Sequence, residues 1–172
     1  RIFFCFFLLH CFVALDRAIA QDLPLLDILL PGEDWQLVGE GYRFTEAPAA
    51  DADGNVYFSD VPASKIYKVD AVTGKISDFV GDSGNTSGLF LGPGGALYAT
   101  QSGKQLITRY DAEGKATIVA EEVPGNDLVV ARDGGVYCTD SGKGSVIYVS
   151  PSGEKRVVAE GIEEEDQERA LI

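Results

Sequence analysis

Between residues 38 and 160, apolar residues fall in runs of four to six, rich in Val, Ile, Tyr and Phe, with short polar stretches between them. Asp51-Ala52-Asp53-Gly54, Gly92-Pro93-Gly94-Gly95 and Arg132-Asp133-Gly134-Gly135 punctuate the runs. Gly and Asp at such points read as tight turns, because both tolerate the backbone conformations a hairpin needs. No long stretch of residues 21–172 shows apolar positions at the 3.6-residue helical period. The segments 23–30 and 161–172 are short exceptions. The pattern predicts an all-β protein.

The pattern also repeats. Gly54-Asn55-Val56-Tyr57 returns as Gly95-Ala96-Leu97-Tyr98 and as Gly134-Gly135-Val136-Tyr137, with 41 and 39 residues between successive tyrosines. A second motif follows each one: Ile66-Tyr67-Lys68-Val69-Asp70, Ile107-Thr108-Arg109-Tyr110-Asp111 and Ile147-Tyr148-Val149-Ser150-Pro151. A period near 40 with about four short strands per unit predicts a β-propeller of four-stranded blades. A β-sandwich is the alternative, but it gives no reason for the period. The expected layout is a linker or edge segment over 21–37 and three blades over about 38–80, 81–121 and 122–160. An acidic tail, or the start of a fourth blade, then follows over 161–172.

The repeat aligns three polar residues. Glu46, Ser87 and Asn126 each lie eleven positions before their blade's tyrosine. Each precedes a short apolar run expected to form the innermost strand. Inner strands line a propeller's channel, so these three residues are expected to ring its mouth. Carboxylate, amide and hydroxyl oxygens suit a hard divalent cation; capping of turns is the plainer reading of the same residues. Asp127 either leans toward the channel or is structural. Asp53, Asp111 and Asp133 read as turn-formers. Asp60 and Asp140, with Thr100 matched to them in blade two, are expected to hydrogen-bond between blades. Cys138 is expected to be inert core.

Residues 1–20 change the chemistry that remains. Arg1, an apolar run from Ile2 to Leu15, and Ala18-Ile19-Ala20 read as a signal peptide cut after Ala20. An uncleaved anchor is the alternative. The expected location is secreted or periplasmic, with no stable membrane insertion after cleavage. The chain has 172 residues, 14 basic and 27 acidic, with a formal net charge of −13. Cleavage removes Arg1, Arg17 and Asp16 and makes the remainder one unit more negative. Such a surface repels phosphate backbones, so no nucleic-acid partner is expected. His10, the single histidine, leaves with the signal, as do Cys5 and Cys11. Residues 21–172 therefore hold no Ser-His or Cys-His nucleophilic system and no His/Cys zinc site. Catalysis would have to use carboxylates, amides, hydroxyls or a metal held by oxygen.

Phe44-Thr45-Glu46-Ala47-Pro48, followed by Asp51-Ala52-Asp53-Gly54-Asn55-Val56-Tyr57-Phe58-Ser59-Asp60, resembles the first-blade motif of the gluconolactonase, regucalcin and luciferin-regenerating-enzyme family of six-bladed propellers. Pro124-Gly125-Asn126-Asp127-Leu128-Val129-Val130 resembles that family's third-blade segment. The resemblance covers roughly residues 38–160, three of six blades. It implies one divalent metal at the channel mouth, Ca²⁺ first, with Zn²⁺, Mg²⁺ and Mn²⁺ as alternatives. It implies Glu46 and Asn126 as ligands, and Asn126 and Ser87 as substrate contacts. The implied reaction is hydrolysis of a sugar lactone or related small ester. Three departures stand out. Ala47 replaces the family's glycine, and Ser87 stands where Asn is usual. The remaining two ligands, one of them the base, belong to the family's fourth and fifth blades. No catalytic residue is therefore identified within these residues, and the chain is expected to be an N-terminal portion of the enzyme. A non-catalytic propeller that binds a carbohydrate or protein partner is the alternative.

Overall fold

The computed structural model describes residues 35–162. The expected signal peptide, most of the 21–37 segment and nearly all of the 161–172 tail lie outside the described residues. Val38 onward belongs to one compact unit, and the account below concerns that unit.

Twelve strands form three four-stranded antiparallel sheets, each a simple meander in chain order. The first contains β1 (Thr45–Ala50), β2 (Val56–Asp60), β3 (Lys65–Val69) and β4 (Ile76–Val80). The second contains β5 (Thr86–Leu91), β6 (Leu97–Gln101), β7 (Leu106–Tyr110) and β8 (Ala116–Glu121). The third contains β9 (Leu128–Val130), β10 (Val136–Asp140), β11 (Ser145–Val149) and β12 (Lys155–Glu160). First strands pack on one another, β1 against β5 and β5 against β9. These are three successive propeller blades with their first strands innermost.

The turns form as their residues dictate. Asp111 accepts from the amides of Glu113 (3.1 Å) and Lys115 (2.8 Å), and Asp133 from Gly135 (2.9 Å). In blade one the capping acid is Asp51 rather than Asp53: its carboxylate takes the amides of Asp53 and Asn55 at 3.1 and 2.9 Å. Gly54, Gly114 and Gly134 sit at φ 84°, 78° and 88°, a region open to glycine at little cost.

Alternation along each strand sorts side chains between the two blade faces. Tyr57 and Ile66 of blade one meet Leu89, Leu97, Ala99 and Tyr110 of blade two in one core cluster. Tyr98, Ile107 and Ala120 of blade two meet Leu128, Val136, Cys138 and Val149 of blade three in another. The same alternation gives blade one a second apolar face. Pro48, Val56, Phe58 and Val69 hold the register positions of Leu89, Leu97, Ala99 and Tyr110. With Tyr42 and Ile76 they line a cavity of about 440 Å³. Positions that are core in blades two and three are thus surface in blade one.

Cys138 is fully buried, and burial, with the Asp140 carboxylate nearby, pushes its thiol up to about 12. It is an inert core residue. Among the described residues Asp60 bonds within its own blade rather than across blades. It accepts the amides of Arg43 (3.0 Å) and Phe44 (3.2 Å), which lead into its own blade. Asp140 has one buried oxygen with no partner among the described residues; Pro124 stands in Phe44's place and has no N–H to give. The register also corrects the match to Thr100. Gln101, not Thr100, pairs as Asp60 and Asp140 do, and it donates to the Tyr110 hydroxyl at 2.6 Å. Thr100 is the counterpart of Ser59 and Thr139.

An exposed apolar blade face favours association. Residues 21–172 are expected to self-associate in sedimentation velocity at micromolar concentration. A monodisperse monomer with one cooperative melt would contradict this reading of the blade-one face.

Candidate functional site

The site begins with a β-bulge. On β1, Glu46 lies opposite Ser59 and Ala49 opposite Tyr57, so β1 carries one extra residue. On β5, Thr86 lies opposite Gln101 and Gly88 opposite Thr100, so Ser87 is extra. In blade three, the Asn126 amide donates to the Thr139 carbonyl (2.7 Å) and the Thr139 amide to the Asp127 carbonyl (3.0 Å). Residues 126 and 127 thus flank a single opposing residue. Glu46, Ser87 and Asn126 hold one position counted from each blade's tyrosine, although the ladder pairs Glu46 with Ser59 and leaves Ser87 as the extra residue. Glu46 and Ser87 lie inside their strands rather than ahead of them; Asn126 precedes the shorter β9. A bulge bends the strand and re-aims its side chains.

The bulge has a backbone cost in blade one. Ala47 sits at φ 55°, in the left-handed region, where an L-residue's Cβ crowds the following carbonyl. A glycine here would carry no such strain.

Glu46 is half-buried. Burial raises its carboxyl above the ordinary glutamate range, and the negative charge of Asp127 raises it further. Blades one and three therefore bring two carboxylates within electrostatic reach of each other. Ser87 is buried, and its hydroxyl donates to the Asn126 carbonyl at 2.9 Å. Ser87 and Asn126 are thus brought together directly, and Glu46 is joined to them through Asp127. Asp127 is exposed, and its amide donates to the Thr139 hydroxyl at 3.1 Å.

Glu46 and Asn126 have the donor chemistry for a hard cation. They do not complete a site: among the described residues no three His, Cys, Asp or Glu side chains cluster to hold a metal. Ca²⁺ takes about six to eight oxygens.

A family model described as the SMP-30/Gluconolactonase/LRE-like region matches residues 44–163. The chain belongs to this family. Among solved structures, a putative gluconolactonase matches this SMP-30/gluconolactonase-like chain at 21% identity and a TM-score of 0.68, covering 81% of this chain and 57% of that one. A gluconolactonase from Xanthomonas campestris matches at 22% identity and a TM-score of 0.62, covering 72% and 50%. A calcium-binding regucalcin from Agrobacterium tumefaciens matches at 18% identity and a TM-score of 0.54, covering 69% and 44%. At these identities the likeness establishes the β-propeller fold. The chain spans about half the length of these structures. No curated protein sequence matches it. No helix among the described residues is long and apolar enough to cross a membrane.

Two outcomes follow from this geometry. Replacing Ala47 by glycine removes the left-handed strain, so A47G is expected to stabilise the fold by roughly 0.5–1 kcal/mol in thermal or urea unfolding; a destabilised variant would contradict the assigned backbone. Glu46 has a raised folded-state carboxyl, so its charged form weakens the fold above that pKa and the penalty disappears as acid protonates it. E46Q is expected to raise Tm at pH 7 without added metal, with the gain vanishing toward about pH 4. A lower Tm at neutral pH would contradict the burial and the Asp127 charge assigned to Glu46.

Proposed function

We propose that this chain supplies three blades and part of the metal site of an exported, gluconolactonase-like hydrolase of sugar lactones or related small esters. The observation that carries the reading is that Glu46 and Asn126 hold matching positions, eleven before the tyrosines of blades one and three. Burial and Asp127 both raise the Glu46 carboxyl, and a divalent cation between the two blades would relieve both. Family membership and the oxygen-only donor set support the same reading.

In this account Glu46 and Asn126 hold the cation, Ca²⁺ before Zn²⁺, Mg²⁺ or Mn²⁺. When bound, such an ion polarises a carbonyl and lowers the pKa of water. Asn126 orients the substrate's ring oxygens through its amide. Ser87 acts indirectly, by holding the Asn126 backbone. The acidic rim of Glu46 and Asp127 disfavours nucleic-acid ligands. The three blades contain two ligands and no base, so hydrolysis is expected only from a completed ring.

Calcium titration by calorimetry tests the reading. A completed ring is expected to bind Ca²⁺, and its E46Q and N126A variants to bind it at least about tenfold more weakly. Equal affinity in parent and E46Q would remove Glu46 from the site. Calcium binding without lactone hydrolysis by a completed ring would leave the non-catalytic carbohydrate- or protein-binding propeller as the better reading.

A further inference from the structure

The three residues Gly125-Asn126-Asp127 are held from two sides. Blade three holds the Asn126 and Asp127 amides and the Asp127 carbonyl. The Asn126 amide donates to the Thr139 carbonyl, the Asp127 amide donates to the Thr139 hydroxyl, and the Asp127 carbonyl accepts from the Thr139 amide. Blade two holds the other two carbonyls. The Ser102 hydroxyl donates to the Gly125 carbonyl at 2.9 Å, and the Ser87 hydroxyl donates to the Asn126 carbonyl at 2.9 Å. The Thr100 hydroxyl also donates to the Asn126 carbonyl, and Ser87 and Ser102 are in hydrogen-bond contact. Two consecutive carbonyls thus face three side-chain hydroxyls from the neighbouring sheet, and because each hydroxyl has one proton, the serine that at a given moment donates to the other does not also donate to a carbonyl.

Close approach makes this possible. A Cβ at Gly88 would fall 2.6 Å from the Asn126 carbonyl oxygen, and one at Gly125 would fall 2.8 Å from the Thr100 methyl. Both positions exclude any side chain unless the blades separate.

The preceding junction lacks the arrangement. Val61 stands where blade two has Ser102, and Ser59, the counterpart of Thr100, donates to Glu46 of its own blade at 3.3 Å. The carbonyls of Thr86 and Ser87, the counterparts of Gly125 and Asn126, receive no side-chain hydrogen bond from blade one among the described residues. Contact between blades therefore does not by itself require the hydroxyls. They occur where the slot holds an amide.

We propose that Ser102, with Thr100 and Ser87, forms a clasp that positions Asn126. Its hydroxyls fix the Gly125 and Asn126 carbonyls, and so set the backbone from which the Asn126 side chain reaches the channel mouth. Ser102 is a positioning residue and touches no substrate. The proposal rests on the metal-site reading for its functional consequence, although the clasp itself does not depend on a metal.

Ser102 is exposed, so S102A should fold as the parent does, and S102T keeps the hydroxyl. Two readouts separate the clasp from the metal site. The first is Ca²⁺ affinity of a completed ring: about a tenfold loss in S102A with Tm unchanged, restored in S102T. The second needs no metal. In ¹⁵N spectra the side-chain amide signals of Asn126 should shift or broaden in S102A and return in S102T, while those of Asn55 and Asn85 stay fixed. Unchanged Asn126 signals in S102A would overturn the clasp whatever the calcium result. Parent-like calcium affinity in S102A, in a completed ring that does bind calcium, would overturn its functional role. A completed ring that binds no calcium would sink the metal-site reading and leave the amide signals to decide the clasp.

Discussion

One extra residue in the ladder between the first two strands of each sheet is the constraint on which the site depends. An antiparallel ladder fixes which side chains share a face, because the period is two and a slip of one residue reverses every side chain. The extra residue falls between Glu46 and Ala49 in blade one and one ladder step earlier, between Thr86 and Gly88, in blade two, and residues 126 and 127 flank Thr139 in blade three. It bends the inner end of the first strand, where Glu46 stays half-buried and Ser87 is buried against blade three. Residues beyond the bulge resume alternation and pack in the two apolar clusters. One local irregularity thus separates a polar rim from an apolar interior.

Much of this was legible because it is periodic. The Gly-x-Val/Leu-Tyr recurrence marks the second strand of each blade, and counting back from the tyrosine reaches the slot residue each time. Counting failed where residue type was allowed to stand in for register. Thr100 resembles Asp60 as a polar strand-closing residue, yet Gln101 holds that ladder position. Asp53 sits in a turn motif, yet Asp51 provides the carboxylate that caps the turn. The clasp was not legible at all. Ser102 lies 23 residues from Gly125, in a Ser-Gly turn common to hairpins of many kinds, and only the approach of two sheets joins them. The second carboxylate, Asp127, was seen as a neighbour of Asn126, but its influence on Glu46 crosses two blade junctions and has no sequence spacing to reveal it.

The electrostatics of the rim follow from the same geometry. Interior packing requires Leu128 and Val130 to face blade two, so the residues just ahead of them are delivered to the inner end of the blade. Burial of Glu46 and the charge on Asp127 act in one direction, unlike at Asp60, where burial would raise the carboxyl but amides from Arg43, Phe44 and Ala63 hold it below its usual range. A carboxylate satisfied by backbone amides is structural. Under the proposed function, one that burial and a like charge both oppose is read as a cation ligand.

The convergence of blades one and three is tested most directly by the Glu46 titration itself, followed by carboxyl ¹³C shifts in the parent and in D127N. The account predicts a raised Glu46 pKa in the parent that moves down toward the ordinary glutamate range when the Asp127 charge is removed. An identical Glu46 titration in both proteins would mean that the two positions do not face a common mouth, and the site would fail with them.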